Sequence, residues 1–139
     1  MNEYRWADLA LGSSARFEAV VTEESIRRFA ELSGDINPLH LNDEFARARG
    51  FNGRVAFGLL TSCFYSALVG VYLPGRWALL HGIDIDFKAP AYVGERLTIA
   101  GEIAHLNDAY RRVDLKASIV NAHGRTISKA TIRVGMHEP

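Results

Sequence analysis

The spacing of hydrophobic positions takes up a lasting period of two near residue 77, which divides the chain into a mainly helical half and a stranded half. Arg16 to Val21 alternates loosely and predicts a first strand. Thr22 is placed to cap a helix whose apolar positions Ile26, Phe29, Ala30 and Leu32 share one face. Glu23 and Glu24 fall in its first turn, where the helix dipole favours negative charge, and Gly34 ends it. A turn from Asp35 to His40 follows, then Asn42 caps a short helix opened by Asp43 and Glu44. Gly50 and Gly53 bound an irregular loop. Gly58 opens a helix predicted to run to about Leu73, with Pro74-Gly75 as its stop. Because Val55 through Gly75 carries no charged residue, that helix is apolar on nearly every side, the pattern of a buried central helix. It is also long enough to cross a bilayer. Its hydroxyls (Thr61, Ser62, Ser66, Tyr65, Tyr72) and the ordinary strand pattern after it favour burial.

From Trp77 onward the period is two. Ile83, Ile85 and Phe87 alternate with Asp84, Asp86 and Lys88, which predicts a strand with one wet face. Pro90 and Gly94 mark a turn, after which Leu97, Ile99 and Ile103 alternate, with Gly101 a candidate bulge or kink. Val113 to Ile119 and Thr126 to Val134 supply two more strands, separated by the Asn121-Ala122-His123-Gly124 turn. A strand, then helices, then about four strands joined by short turns predicts an α+β fold with an antiparallel sheet. A curved sheet wrapped around the apolar helix is the arrangement expected to cover it. With no linker or repeat in its 139 residues, the chain is expected to form one domain, 1–139.

Composition narrows the functional classes. Sixteen basic and sixteen acidic residues cancel, so neither nucleic acid nor an anionic membrane is favoured as a partner. One cysteine, Cys63, permits no internal disulfide, and the Met1-Asn2-Glu3-Tyr4-Arg5-Trp6 start shows no signal-peptide pattern, so the cytoplasm is the expected location. His81, His105 and His123 do not share metal-ligand spacing with His40, and no metal site is expected.

The candidate chemistry lies in Gly34-Asp35-Ile36-Asn37-Pro38-Leu39-His40. An aspartate and a histidine can together hold and deprotonate one water, provided a bend brings them to one pocket. Pro38 pushes Asn37 out of the helical region and supplies that bend. Asp, Asn and Pro are also ordinary turn formers, so the segment read alone fits a simple helix–helix connection equally well.

The longer context is more specific. Phe29-Ala30-Glu31-Leu32-Ser33-Gly34-Asp35-Ile36-Asn37-Pro38-Leu39-His40, followed by Ala46, resembles the hydratase motif of the MaoC-like, (R)-specific enoyl-CoA hydratases. The similarity continues through the Gly58-Leu59-Leu60 helix opening, the Leu73-Pro74-Gly75 stop and Phe87-Lys88-Ala89-Pro90, covering roughly residues 17 to 134. The resemblance implies a hotdog fold, an antiparallel sheet wrapped around a long central helix, usually paired into a homodimer. It implies reversible hydration of trans-2-enoyl thioesters to (R)-3-hydroxyacyl thioesters, carried on coenzyme A or acyl carrier protein, with no other cofactor. Asp35 and His40 would then be the catalytic pair, with Asp35 buried beside the apolar helix. Gly58 would offer its N–H to the thioester carbonyl, a role with its own physical basis, since helix N-termini carry unpaired amides that favour developing negative charge.

By the same resemblance Ser66 could support Asp35, although a core-facing serine bonded to its own backbone accounts for it more simply. Asn37 could orient water or the substrate carbonyl, and a plain Asn-Pro turn accounts for it as well. Arg47, Arg49 and Arg54 flank the turn and are candidate contacts for the carrier's phosphates. Many relatives carry histidine immediately before the glycine where this chain has Phe57, which implies a different pocket wall. Two other readings stay open: a hotdog acyl thioesterase, disfavoured because the central helix has no acid, and a non-catalytic subunit that binds acyl thioesters.

Overall fold

The computed structural model describes residues 1–139. After a short helical turn at Trp6–Asp8 come strand β1 (Ser14–Val20) and helices α1 (Glu23–Ser33), α2 (Pro38–Leu41), α3 (Asp43–Ala48) and α4 (Gly58–Ala67). α4 continues into a π-helical turn at Leu68–Tyr72, and strands β2 (Ala78–Phe87), β3 (Arg96–Asn107), β4 (Arg112–Asn121) and β5 (Thr126–Met136) complete the chain. The five strands form one antiparallel sheet in the order β1-β3-β4-β5-β2, so β1 and β2 are its edges. α4 and its π-helical turn lie along one face of this sheet, the hotdog arrangement.

The register explains how the helix comes so close. Ala15, Gly101, Ala117, Ala130 and Ile85 pair in turn across all five strands, and four of these five side chains are alanine or nothing at all. That row is a shallow trough, and Leu68, fully buried, fills it: a Cβ on Gly101 would come within 2.7 Å of the Leu68 side chain. Gly101 therefore marks close helix–sheet packing and not the kink expected there; the irregularity in β3 falls later, between Ile103 and His105. Truncating Leu68 to alanine leaves a void against a sheet row whose residues nearest it, Gly101 and the alanines, are too short to fill it. Leu68→Ala is expected to cost about 2–5 kcal/mol, read from urea unfolding.

Local signals mostly act as the sequence predicts. Thr22 and Ser25 exchange side-chain hydrogen bonds at the start of α1, and Gly34 closes it in the left-handed region at φ 75°. α1 buries Ile26 and packs Phe29 and Ala30 on the core, but Leu32 is 87% exposed and does not belong to the buried face. The wholly buried central helix is likewise not what one chain forms. Leu59, Cys63, Ser66 and Val71, spaced along one side of α4 and its continuation, remain exposed. One sheet covers only one side of a helix, and α1 does not reach the rest. No helix is long and apolar enough to cross a membrane.

Candidate active site

The Asp35 turn is held by short-range hydrogen bonds. Ser33 Oγ donates to the Phe29 carbonyl and accepts the Asp35 N–H at 3.2 Å, while Asp35 Oδ1 accepts the Asn37 N–H at 3.0 Å. Asn37 Oδ1 in turn caps α2 by accepting the Leu39 N–H at 3.0 Å, with Pro38 at the first helical position. These bonds fix the backbone around Asp35 and leave its Oδ2 without a protein partner. Asp35 is exposed in the single chain, not buried beside α4 as expected.

His40 sits on α2 and is oriented from two directions. Its Nδ1 lies 2.7 Å from the Val55 carbonyl oxygen, which can only accept, so Nδ1 carries the proton and the neutral ring keeps a lone pair on Nε2. The ring packs on Phe57 at 4.1 Å between centroids, and Phe57, 2% exposed, is backed by Phe29 at 4.9 Å. The residue that stands where many relatives have histidine is thus the apolar floor under the His40 ring.

Phe57 precedes α4 and offers no side-chain cap, so the Gly58, Leu59 and Leu60 amides have no acceptor within the chain. The Gly58 carbonyl, by contrast, accepts from both Thr61 Oγ1 and Ser62 Oγ at 2.8 Å, which pins the first turn. Gly58 and His40 line the same cleft, of about 340 Å³, with Thr61, Phe87, Lys88 and Ile127 among its walls. A base and free helix-terminal amides thereby face one space. A wider depression of about 610 Å³ lies away from His40, between β2, β4 and β5, lined by Asp84, Asp86, Lys116 and Lys129. It has no helix N-terminus and no histidine, so the smaller cleft is the stronger chemical candidate.

The other candidates are placed differently. Asp35, Asn37 and Ser66 do not line this cleft in the single chain; Ser66 is exposed on α4 and makes no hydrogen bond to Asp35, and the Asn37 carbonyl oxygen is occupied as a helix cap. None of the three arginines reaches it either. Arg54 pairs with Glu23 and Asp43, and the Glu23 hydrogen bond holds its guanidinium above the usual range. Its backbone N–H also donates to Asp43 Oδ1 at 2.9 Å. Arg47 lies 4.0 Å from Asp43, and Arg49 rests over the Phe45 ring. Arg54 thus ties the 50s loop to α1 and α3, as a partly buried cation with two acidic partners. Arg54→Met is expected to lower stability by about 1–3 kcal/mol, measured by thermal or urea unfolding.

Sequence reasoning missed Val55, which sets the His40 tautomer through its backbone, and Lys88, the one cation on the cleft wall. Neither carries a local signal, because each matters only through a neighbour distant in sequence. No three His, Cys, Asp or Glu side chains converge on one point. Cys63 is exposed on α4, with its thiol pushed up by partial burial of the sulfur.

Comparison with known proteins adds an independent line. The family model for the MaoC like domain matches residues 10–124. An (R)-specific enoyl-CoA hydratase from Rhodospirillum rubrum is 38% identical over 66% of this chain, the match spanning 63% of that protein, somewhat under two thirds of its length. A 3-hydroxybutyryl-CoA dehydratase from Methylorubrum extorquens is 34% identical over 78% of this chain and 69% of its own. Among solved structures, an (R)-hydratase from Aeromonas caviae involved in PHA biosynthesis superposes with a TM-score of 0.89 at 30% identity, covering 92% of this chain and 97% of that one.

Proposed function

Because the chain belongs to the MaoC-like domain family, we propose that it is a hydro-lyase, adding water reversibly to trans-2-enoyl thioesters to give (R)-3-hydroxyacyl thioesters. The observation that carries this reading is the shared cleft: His40, with Nε2 free, and Gly58, with its N–H unpaired, line one apolar space. The Aeromonas and Rhodospirillum proteins named as (R)-hydratases, and the Methylorubrum dehydratase, support it.

In the hydration direction the thioester carbonyl oxygen accepts the Gly58 N–H. Water held between Asp35 Oδ2 and His40 Nε2 loses a proton to this pair as its oxygen attacks C3. The electron pair of the double bond moves toward the carbonyl, giving an enolate whose oxygen is stabilised by the α4 amides. A proton returned from the pair to C2 completes the addition, on the same face because one site serves both steps. Two groups that grip one water need not touch each other, but Asp35 stands outside the cleft in the single chain, so this step requires the Asp35 turn to be brought beside His40 when a second copy covers it. No cofactor beyond the thioester's carrier is required, and a reducing cytoplasm suits a chain with one cysteine. Loss of enoyl-thioester absorbance on adding the protein to crotonyl-CoA tests the reading. Release of free thiol instead would establish a thioesterase, a reading that the absence of any acid on α4 counts against. Binding without turnover would establish a non-catalytic subunit.

The working form is a homodimer in this proposal. Edge strand β2 has an unpaired side, and the single chain leaves apolar side chains uncovered on α4 and its continuation (Leu59, Val71) and around the Asp35 turn (Leu32, Ile36). A second copy would bury that apolar surface and shut water out of the site. Sedimentation is expected to give twice the 15.4 kDa of one chain, with Cys63 slow to alkylate until the protein is denatured. A 15.4 kDa species at micromolar concentration sinks the dimer.

A further inference from the structure

Phe87 ends β2 on the same face as Ile83 and Ile85, the face turned toward α4, so alternation alone would put it in the core. It is instead 52% exposed, and its ring lies against the start of α4. A Cβ built on Gly58 would come within 3.0 Å of two Phe87 ring carbons. The strand backbone around it cannot yield, since Phe87 pairs with Ser128, and the Lys88 and Ala89 amides both donate to the Ile127 carbonyl. Only the ring can move. A large aromatic side chain on a fixed backbone thus stands in van der Waals contact with Gly58 and lines the cleft that holds His40.

We propose that Phe87 determines which acyl groups the site accepts, by filling the space beside C2 of the bound thioester. The proposal rests on the hydratase reading, in which the carbonyl oxygen meets the Gly58 N–H. C2 is then bonded to the carbon carrying that oxygen, so a methyl on C2 lies only two bonds from that carbon, within reach of the ring that stands against Gly58. Enoyl groups with hydrogen at C2 pass. Those with a methyl at C2 must displace the ring or lose the carbonyl's hydrogen bond. The substrate class is therefore the 2-unbranched enoyl thioester.

The test compares kcat/KM for trans-2-butenoyl-CoA, trans-2-methyl-2-butenoyl-CoA and trans-2-octenoyl-CoA in wild type, Phe87→Ala and Phe87→Leu. One methyl in an apolar site discriminates by about 10–200-fold, so the preference for butenoyl over its 2-methyl analogue is expected to fall at least ~10-fold in Phe87→Ala, and by less in Phe87→Leu. Comparing each variant with wild type cancels the different intrinsic reactivities of the thioesters. Phe87→Leu keeps an apolar side chain on the strand, so it carries the test alone should the alanine variant not fold. An unchanged 2-methyl ratio with butenoyl activity retained overturns the role of Phe87 while leaving the hydratase reading intact. A shift confined to the octenoyl ratio places the ring at the far end of the acyl chain and overturns the C2 assignment. Wild type inactive on all three overturns the hydratase reading itself.

Discussion

Asp35→Asn and His40→Gln are each expected to lower kcat on crotonyl-CoA by about 100- to 10,000-fold, the range a positioned general acid–base contributes. Substrate binding should change little, because neither group is asked to hold the thioester in place. Neither substitution threatens the fold. Asp35 is exposed, and an asparagine side-chain oxygen can still accept the Asn37 N–H that Oδ1 accepts now. His40 is partly buried, and glutamine can retain a donor toward the Val55 carbonyl while losing the basic nitrogen. Circular dichroism and an unchanged melting temperature would separate lost chemistry from lost structure. Retention of full activity by either variant would falsify the assignment of that residue.

The second large effect is expected at Gly58, where a pair of substitutions separates the amide from the space around it. Alanine and proline both add a Cβ that presses on Phe87, but only proline removes the N–H. Proline is otherwise well suited to the first position of a helix, and Phe57 already has an extended backbone, φ −57° and ψ 130°, that a following proline requires. If Gly58 N–H stabilises the enolate oxygen, Gly58→Pro should fall below Gly58→Ala by a further factor of about 100–1000 in kcat, the usual effect of one oxyanion donor. Equal activity in the two variants would move the oxyanion role to another amide, with Leu59 next in line on the same free helix end.

The sequence was most informative where short-range physics decides the outcome. Thr22 and Gly34 bracket α1, Asn42 caps α3, and the period-two runs from Ala78 to Met136 became four paired strands. The Asp35-to-His40 turn was also legible, because its bonds run between residues two to four apart. The long motif from Phe29 to Ala46 lifted that turn from a plain connection to a candidate site. What was read less well depends on distant neighbours. Leu32 keeps helical spacing with Phe29 yet faces solvent, since spacing gives a face but not what lies opposite it. Arg54, a candidate phosphate contact by sequence, is already engaged by Glu23, 31 positions away, and by Asp43, 11 away.

By itself, then, the sequence determined the element order, the caps and the antiparallel strands, all set by backbone preference and nearest neighbours along the chain. Only the tertiary structure decided that Val55 fixes the His40 tautomer, that Gly101 is a seat for Leu68, and that Phe87 lies over Gly58. Each of these joins residues between 15 and 33 positions apart. Such contacts arise from packing a helix onto a sheet, and no local pattern records which side chains meet when it does.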